Sequence, residues 1–158
     1  MNRPIDGNRL LHSLGVAEYM HSKAKTYNLD PDEMYIIGIL HDIGFINDYS
    51  TDHNYQEYGD KLLEKIGLTS EKGLIIRDII KLNNSVPDFT MDWDDEICKI
   101  RYLLYEADMR ISSTGKLVDY DRRLQNLYEY YDDDDIFEKG KSIISWLESN
   151  QLGEAMLG

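Results

Sequence analysis

Apolar residues recur at spacings of three and four along nearly the whole chain, the period of helices with one buried stripe. Leu10, Leu11, Leu14, Val16, Ala17 and Met20 predict a first helix with these positions facing a core. Asp30-Pro31-Asp32-Glu33 reads as the start of a second, with Asp30 as N-cap, proline in the first turn and Glu33 at the capping-box position. Its stripe is Met34, Ile36, Ile37, Ile39 and Leu40, and it ends near His41-Asp42 with Gly44 as its stop. A polar loop over 47–54 contains His53, and a third helix over about 56–66 closes at Gly67. Thr69 or Ser70 caps a fourth helix carrying Leu74, Ile75, Ile76, Ile79, Ile80 and Leu82. A loop over 83–93 follows, and Asp94 caps a fifth helix with Ile97, Ile100, Leu103, Leu104 and Ala107 inward. Gly115 breaks the pattern before two last helices, around 117–131 and 134–150. No segment sustains period-two alternation. The fold class is therefore all-α, a helical bundle with one core, read as a single domain over 1–158.

Composition narrows the classes of function. A chain of 158 residues with 42% hydrophobic residues suits one globular domain. No apolar run approaches the roughly 20 residues of a membrane span, and the polar first residues do not read as a signal peptide. The single cysteine, Cys98, excludes an internal disulfide framework and reads as a small buried residue. These features predict a soluble, cytoplasmic protein without a membrane partner. The net charge of −13 argues against duplex nucleic acid, because no Lys/Arg cluster is large enough to replace its counterions. A small phosphorylated molecule remains compatible, since a bound metal ion can reverse the local field.

Four residues in helical, apolar surroundings carry candidate chemistry: His12, the adjacent pair His41 and Asp42, and Asp108. Two imidazoles and two carboxylates form a mixed nitrogen and oxygen set suited to one divalent transition metal such as Mn, Fe, Co, Ni or Zn, with Mg as a further candidate. Each residue alone is better explained by packing or by a helix-end hydrogen bond.

The order His12 … His41-Asp42 … Asp108 resembles the HD-domain superfamily of metal-dependent phosphohydrolases, from about Arg9 to about Leu124, with a helical extension over about 125–150. The resemblance implies an HD-type bundle, a metal on these four residues, and hydrolysis of a small phosphate ester, such as a nucleotide or phosphorylated metabolite, by metal-activated water. It implies that Asp42 contacts both the metal and the attacking water. His53 occupies the loop where such proteins often carry a histidine before a glycine, here Gly59, and is a candidate for phosphate contact or for general acid. Asp108-Met109-Arg110 resembles the family's Asp-Arg ending and makes Arg110 a candidate for managing phosphate charge, with Lys81, Asn83 and Asn84 as further substrate-binding candidates. Phe45 stands where many phosphodiesterases of the family have lysine, and Asn83-Asn84 stand where its dinuclear branches have two histidines. Those departures favour one metal over two and speak against the di-iron oxygenases of this fold. They also leave open a non-catalytic HD module that binds a metal and a ligand or partner as a sensor. Proteins of this family often dimerise, and nothing in the sequence decides for or against a homodimer.

Three features read as structural. His21 is assigned to the surface, Asp132-Asp133-Asp134-Asp135 to the N-terminal end of the last helix rather than to a calcium loop, and Tyr128, Tyr130 and Tyr131 to partly buried packing rather than to a stacking platform.

Overall fold

The computed structural model describes residues 7–43, 60, 61, 63–65 and 67–151. Among them are α1 (Gly7–Lys23), a short 3-10 turn (Ala24–Tyr27), α2 (Pro31–Leu40), α3 (Glu71–Leu82), α4 (Glu96–Arg110), α5 (Tyr120–Tyr131) and α6 (Asp134–Ser149). No strand occurs among the described residues beyond one isolated antiparallel bridge between Ile111 and Leu117. The chain is all-α. The expected third helix falls partly on undescribed residues; 60, 61 and 63–65 are helical, and Gly67 ends that stretch at φ 100°.

The helix starts follow from their side chains. The Asp30 carboxylate accepts from the backbone N–H of Asp32 and Glu33, Ser70 Oγ from Gly73, and Asp133 from Asp135 and Ile136. The capping-box position of Glu33 is used differently, since its carboxylate pairs with Lys72 at 2.6 Å. The cap of α4 is Asp95 rather than the expected Asp94, whose own N–H is taken by Asp92. The helix expected near Leu117 begins at Tyr120, because Leu117 is held in the bridge to Ile111 and Asp119 supplies the cap. Asp132 ends α5 with φ 50° and the next three aspartates open α6, where their charge favours the helix dipole.

The core runs through Val16, Met20, Met34, Ile37, Leu103, Leu104 and Ala107, all fully buried. Several expected core positions face outward instead: Leu10, Leu11, Ile36, Leu74, Ile75, Leu82 and Ile97 are exposed, and Cys98 is only partly buried. Each lies on a helix whose buried stripe is narrower than its run of apolar residues, so periodicity alone overfilled the core. Tyr27, Trp93, Tyr102 and Trp146 form an aromatic cluster, with Tyr27 and Trp93 stacked at 6.0 Å. Glu106, buried at 4% exposure, accepts hydrogen bonds from Tyr19 and Tyr27 and lies 3.5 Å from Lys23 Nζ.

Two close approaches set the helices that carry the candidate site. A Cβ on Gly38 would fall 2.5 Å from Ala17 Cα, so α1 and α2 touch through their backbones. A tight loop after α4 packs against α1: Gly115, at φ 87°, would place a Cβ 2.4 Å from the Leu11 carbonyl oxygen. The loop is fixed by bonds from the Ser112 N–H to the Lys116 carbonyl and from the Val118 N–H to the Arg110 carbonyl, each 2.8 Å. No described helix is long and apolar enough to cross a membrane.

Candidate metal centre

His12 sits in the middle of α1, where the close-packed loop brings the Ser112 carbonyl to its ring. Its Nδ1–H donates to that carbonyl at 2.9 Å, because a carbonyl oxygen only accepts. His41, the C-cap of α2, uses the same device at shorter range, its Nδ1–H donating to the Gly38 carbonyl at 2.7 Å. These two bonds fix both rings with Nε2 turned toward the interior of the site. The rings stand with centroids 5.4 Å apart.

Both Nε2 atoms meet the same carboxylate. Asp108, in the last turn of α4, places Oδ1 2.7 Å from His12 Nε2 and 3.5 Å from His41 Nε2. Asp42 Oδ2 lies 3.6 Å from His41 Nε2. His12, His41 and Asp42 each offer a ligand atom within 4.8 Å of the others. His41 Nε2 is buried and has no hydrogen-bond partner among the described residues. Burial alone would lower the His41 pKa, but the carboxylates of Asp42 and Asp108 override it and raise it to about 9. Burial opposes ionisation of Asp108, yet His12 Nε2 at 2.7 Å and His41 Nε2 at 3.5 Å hold its carboxyl well below the usual range. Such a cluster, with two imidazole nitrogens turned toward facing carboxylates, fits a divalent cation in donor type and orientation.

Two almost fully buried arginines flank this cluster, Arg9 at 7% exposure and Arg123 at 5%. Arg9 donates to the Tyr131 hydroxyl at 2.8 Å and lies 3.8 Å from Asp42 Oδ2. Arg123 donates from Nε to the Asp108 carbonyl at 2.9 Å and from Nη1 to Asn126 at 2.7 Å, with Nη2 3.7 Å from Asp108 Oδ1. Arginine stays charged when buried. The cluster therefore opens into one cavity of about 440 Å³ whose lining includes His12, Asp42, Asp108, Arg9 and Arg123. Lys139 of α6 reaches the same cavity and donates to the Asn84 carbonyl; burial pushes its pKa down, against the pull of Asp108.

The structure brings together His12, His41, Asp42 and Asp108, and it lines the cavity with Asn83 and Asn84. Asn83 Oδ1 is buried without a hydrogen-bond partner among the described residues. Arg110 goes elsewhere: its Nε donates to the Val118 carbonyl at 2.8 Å and its guanidinium lies over Tyr120. Residues two apart on a helix point to different sides, so Asp108 and Arg110 do not share a face. Lys81 is exposed on α3 and does not line the cavity. His53, Phe45, Gly44 and Gly59 lie outside the described residues. His21 is at the surface, 3.9 Å from Asp32.

Sequence reasoning missed Arg9, Lys139 and the role of the tyrosines. Tyr130 and Tyr131 line the cavity instead of only packing, whereas Tyr128 is exposed. A signal existed for the arginine: Arg9 precedes His12 by three positions and shares its face of α1. Arg123 lies four residues before Leu127 on the buried side of α5.

Comparison with curated proteins and with solved structures returns no match. The family description "HD domain" matches residues 9–121, which contain all four candidate ligands and exclude nearly all of α5 and the whole of α6. With the His12, His41-Asp42 and Asp108 cluster assembled inside that matched span, the chain belongs to the HD-domain family, within the superfamily of metal-dependent phosphohydrolases.

Proposed function

We propose that this protein hydrolyses a phosphate ester of a small organic molecule at one divalent transition metal held by His12, His41, Asp42 and Asp108. The observation that carries this reading is the pairing of two oriented imidazole nitrogens and two carboxylates with two buried arginines in one cavity. When bound there, a divalent ion supplies Lewis acidity and lowers the pKa of water toward neutrality. Asp42 orients the attacking water and takes its proton as the water oxygen bonds to phosphorus. The ester P–O bond breaks, and the leaving oxygen takes a proton. Arg9 and Arg123 hold the phosphoryl oxygens and offset the charge that builds on them, in a site where burial strengthens the attraction. They take the part expected of Arg110, whose guanidinium bonds the Val118 carbonyl and lies over Tyr120. Asn83 and Asn84 contribute hydrogen bonds from the cavity wall. His53 is the proposed source of the leaving-group proton or a further phosphate contact, to be tested by His53→Ala.

The mixed donor set suits Mn, Fe, Co, Ni or Zn. The net charge of −13 supports a small substrate over duplex nucleic acid. The test is phosphate release from a panel of small phosphate esters, with each metal added to metal-free protein. Release that depends on metal and falls at least about a hundredfold in Asp42→Ala, with helical content retained, supports hydrolysis. Metal binding without turnover of any ester would favour the sensor reading instead.

A further inference from the structure

The cavity lining has two chemically different parts. One is His12, Asp42 and Asp108 with the two arginines. The other is walled by Leu127 and the paired rings of Tyr130 and Tyr131 from α5, and by Ile136 and Ile143 from α6. The two tyrosine rings stand edge to face with centroids 4.8 Å apart. Tyr131 is also the hydroxyl that accepts from Arg9, so one side chain joins the cationic part to the apolar part. Burial raises the Tyr131 pKa, and the phenol stays neutral. Gly140 of α6 also lines the cavity. A Cβ there would meet Leu124 at 3.0 Å and Leu127 at 3.4 Å, so the absent side chain lets α6 pack closely on α5 beside the cavity.

The two sets of lining residues come largely from different parts of the chain. Every candidate metal ligand lies within the matched residues 9–121, whereas Leu127, Tyr130, Tyr131, Ile136 and Ile143 lie beyond them; Met109 is an apolar lining residue inside the match, and Arg123 lies outside it. A volume of about 440 Å³ exceeds what a phosphate group alone requires and falls within the range of sites that enclose small organic ligands. An apolar, aromatic-edged wall gains little from a sugar or glycerol surface and most from a flat or apolar one.

We propose that the α5–α6 hairpin is the specificity element of this protein, and that it selects phosphate compounds whose organic group presents an apolar or aromatic face. This rests on the phosphohydrolase reading above and adds the class of the leaving group. The hairpin binds the organic group between the tyrosine pair and the Ile136 and Ile143 side chains, while the phosphate faces Arg9 and Arg123. Lys139, which also lines the cavity, donates to the Asn84 carbonyl in the α3–α4 connection.

Non-hydrolysable phosphonates separate binding from turnover. Calorimetry on the metal-loaded full chain compares benzylphosphonate with methylphosphonate, which share the anionic head and differ only in the organic group. The expected result is benzylphosphonate binding at least about tenfold tighter, with Ile136→Asn cutting that ratio to near one. Equal affinities in the wild-type protein overturn this inference and leave the phosphohydrolase reading standing. Binding of neither compound, together with no phosphate release from any ester, overturns both. The wild-type comparison needs no variant, so the outcome does not depend on whether Ile136→Asn folds.

Discussion

His12 Nε2 and Asp108 Oδ1 lie 2.7 Å apart although 96 positions separate them in the chain. His12 already donates its Nδ1–H to the Ser112 carbonyl, so Nε2 is the nitrogen left to face Asp108. The contact therefore ties the fold to the candidate chemistry. Asp108→Asn keeps the shape and removes the charge. Metal affinity measured by calorimetry is expected to fall about 10- to 100-fold, the cost of losing a charged ligand or its orienting partner.

Arg9 and Arg123 are nearly buried beside the carboxylates, and both line the cavity. Arg9→Gln is expected to raise KM for the ester about tenfold or more, the effect of one charge-assisted hydrogen bond. Arg110→Gln is expected to leave kcat/KM within about threefold, since its guanidinium serves Val118 and Tyr120. Steady-state kinetics on the two variants checks the assignment, and a larger loss in Arg110→Gln would reverse it.

Gly38 is both a packing contact and a support for the site. A Cβ there would fall 2.5 Å from Ala17 Cα, and the Gly38 carbonyl accepts the bond that orients His41. Gly38→Ala forces α1 and α2 apart and is expected to cost about 1–3 kcal/mol in stability. It should weaken metal binding as well, because His12 and His41 ride on those two helices. Thermal denaturation and metal titration read the two effects separately.

Glu106 serves stability rather than the site. It accepts from Tyr19 and Tyr27 and neighbours Lys23 within the core. Glu106→Ala removes the buried acceptor that Tyr19 and Tyr27 share and is expected to destabilise by about 3 kcal/mol, measured by urea denaturation. Metal stoichiometry in the folded variant should stay that of the wild type.

Asp60 and Arg77 give a pH signature away from the metal centre. Arg77 donates from Nε and Nη2 to the two Asp60 oxygens, each at 2.9 Å. This hydrogen bonding is the main reason that the Asp60 pKa lies below its ordinary 3.8. A depressed carboxyl pKa means stability that is present above the ordinary value and lost as pH falls through the lowered one. Asp60→Asn should therefore melt lower than wild type at neutral pH, with the gap closing in acid and shrinking in high salt.

The sequence was most legible where chemistry and local structure coincide. Asp30, Ser70 and the aspartates before α6 act as caps through contacts only two or three residues long, which makes them readable from order alone. His41 and Asp42 are adjacent, and family resemblance joined them to His12 and Asp108. Position across helices was harder. Ile36, Leu74 and Ile97 fit helical periodicity and still face solvent, because the width of each buried stripe depends on neighbours far away in sequence. Arg110 looked attached to Asp108, yet two residues of helix turn it to another side. Arg9 and Tyr131 meet across 122 positions, a contact no local pattern encodes.

The central claim is one metal per chain on His12, His41, Asp42 and Asp108. Elemental analysis of protein purified without added metal, beside the His41→Ala/Asp42→Ala double variant, tests it most directly. We predict about one transition metal per wild-type chain and none in the variant, with both proteins equally helical. No metal in the wild type, even after reconstitution with Mn, Fe, Co, Ni or Zn, would contradict the account, as would equal metal content in the variant.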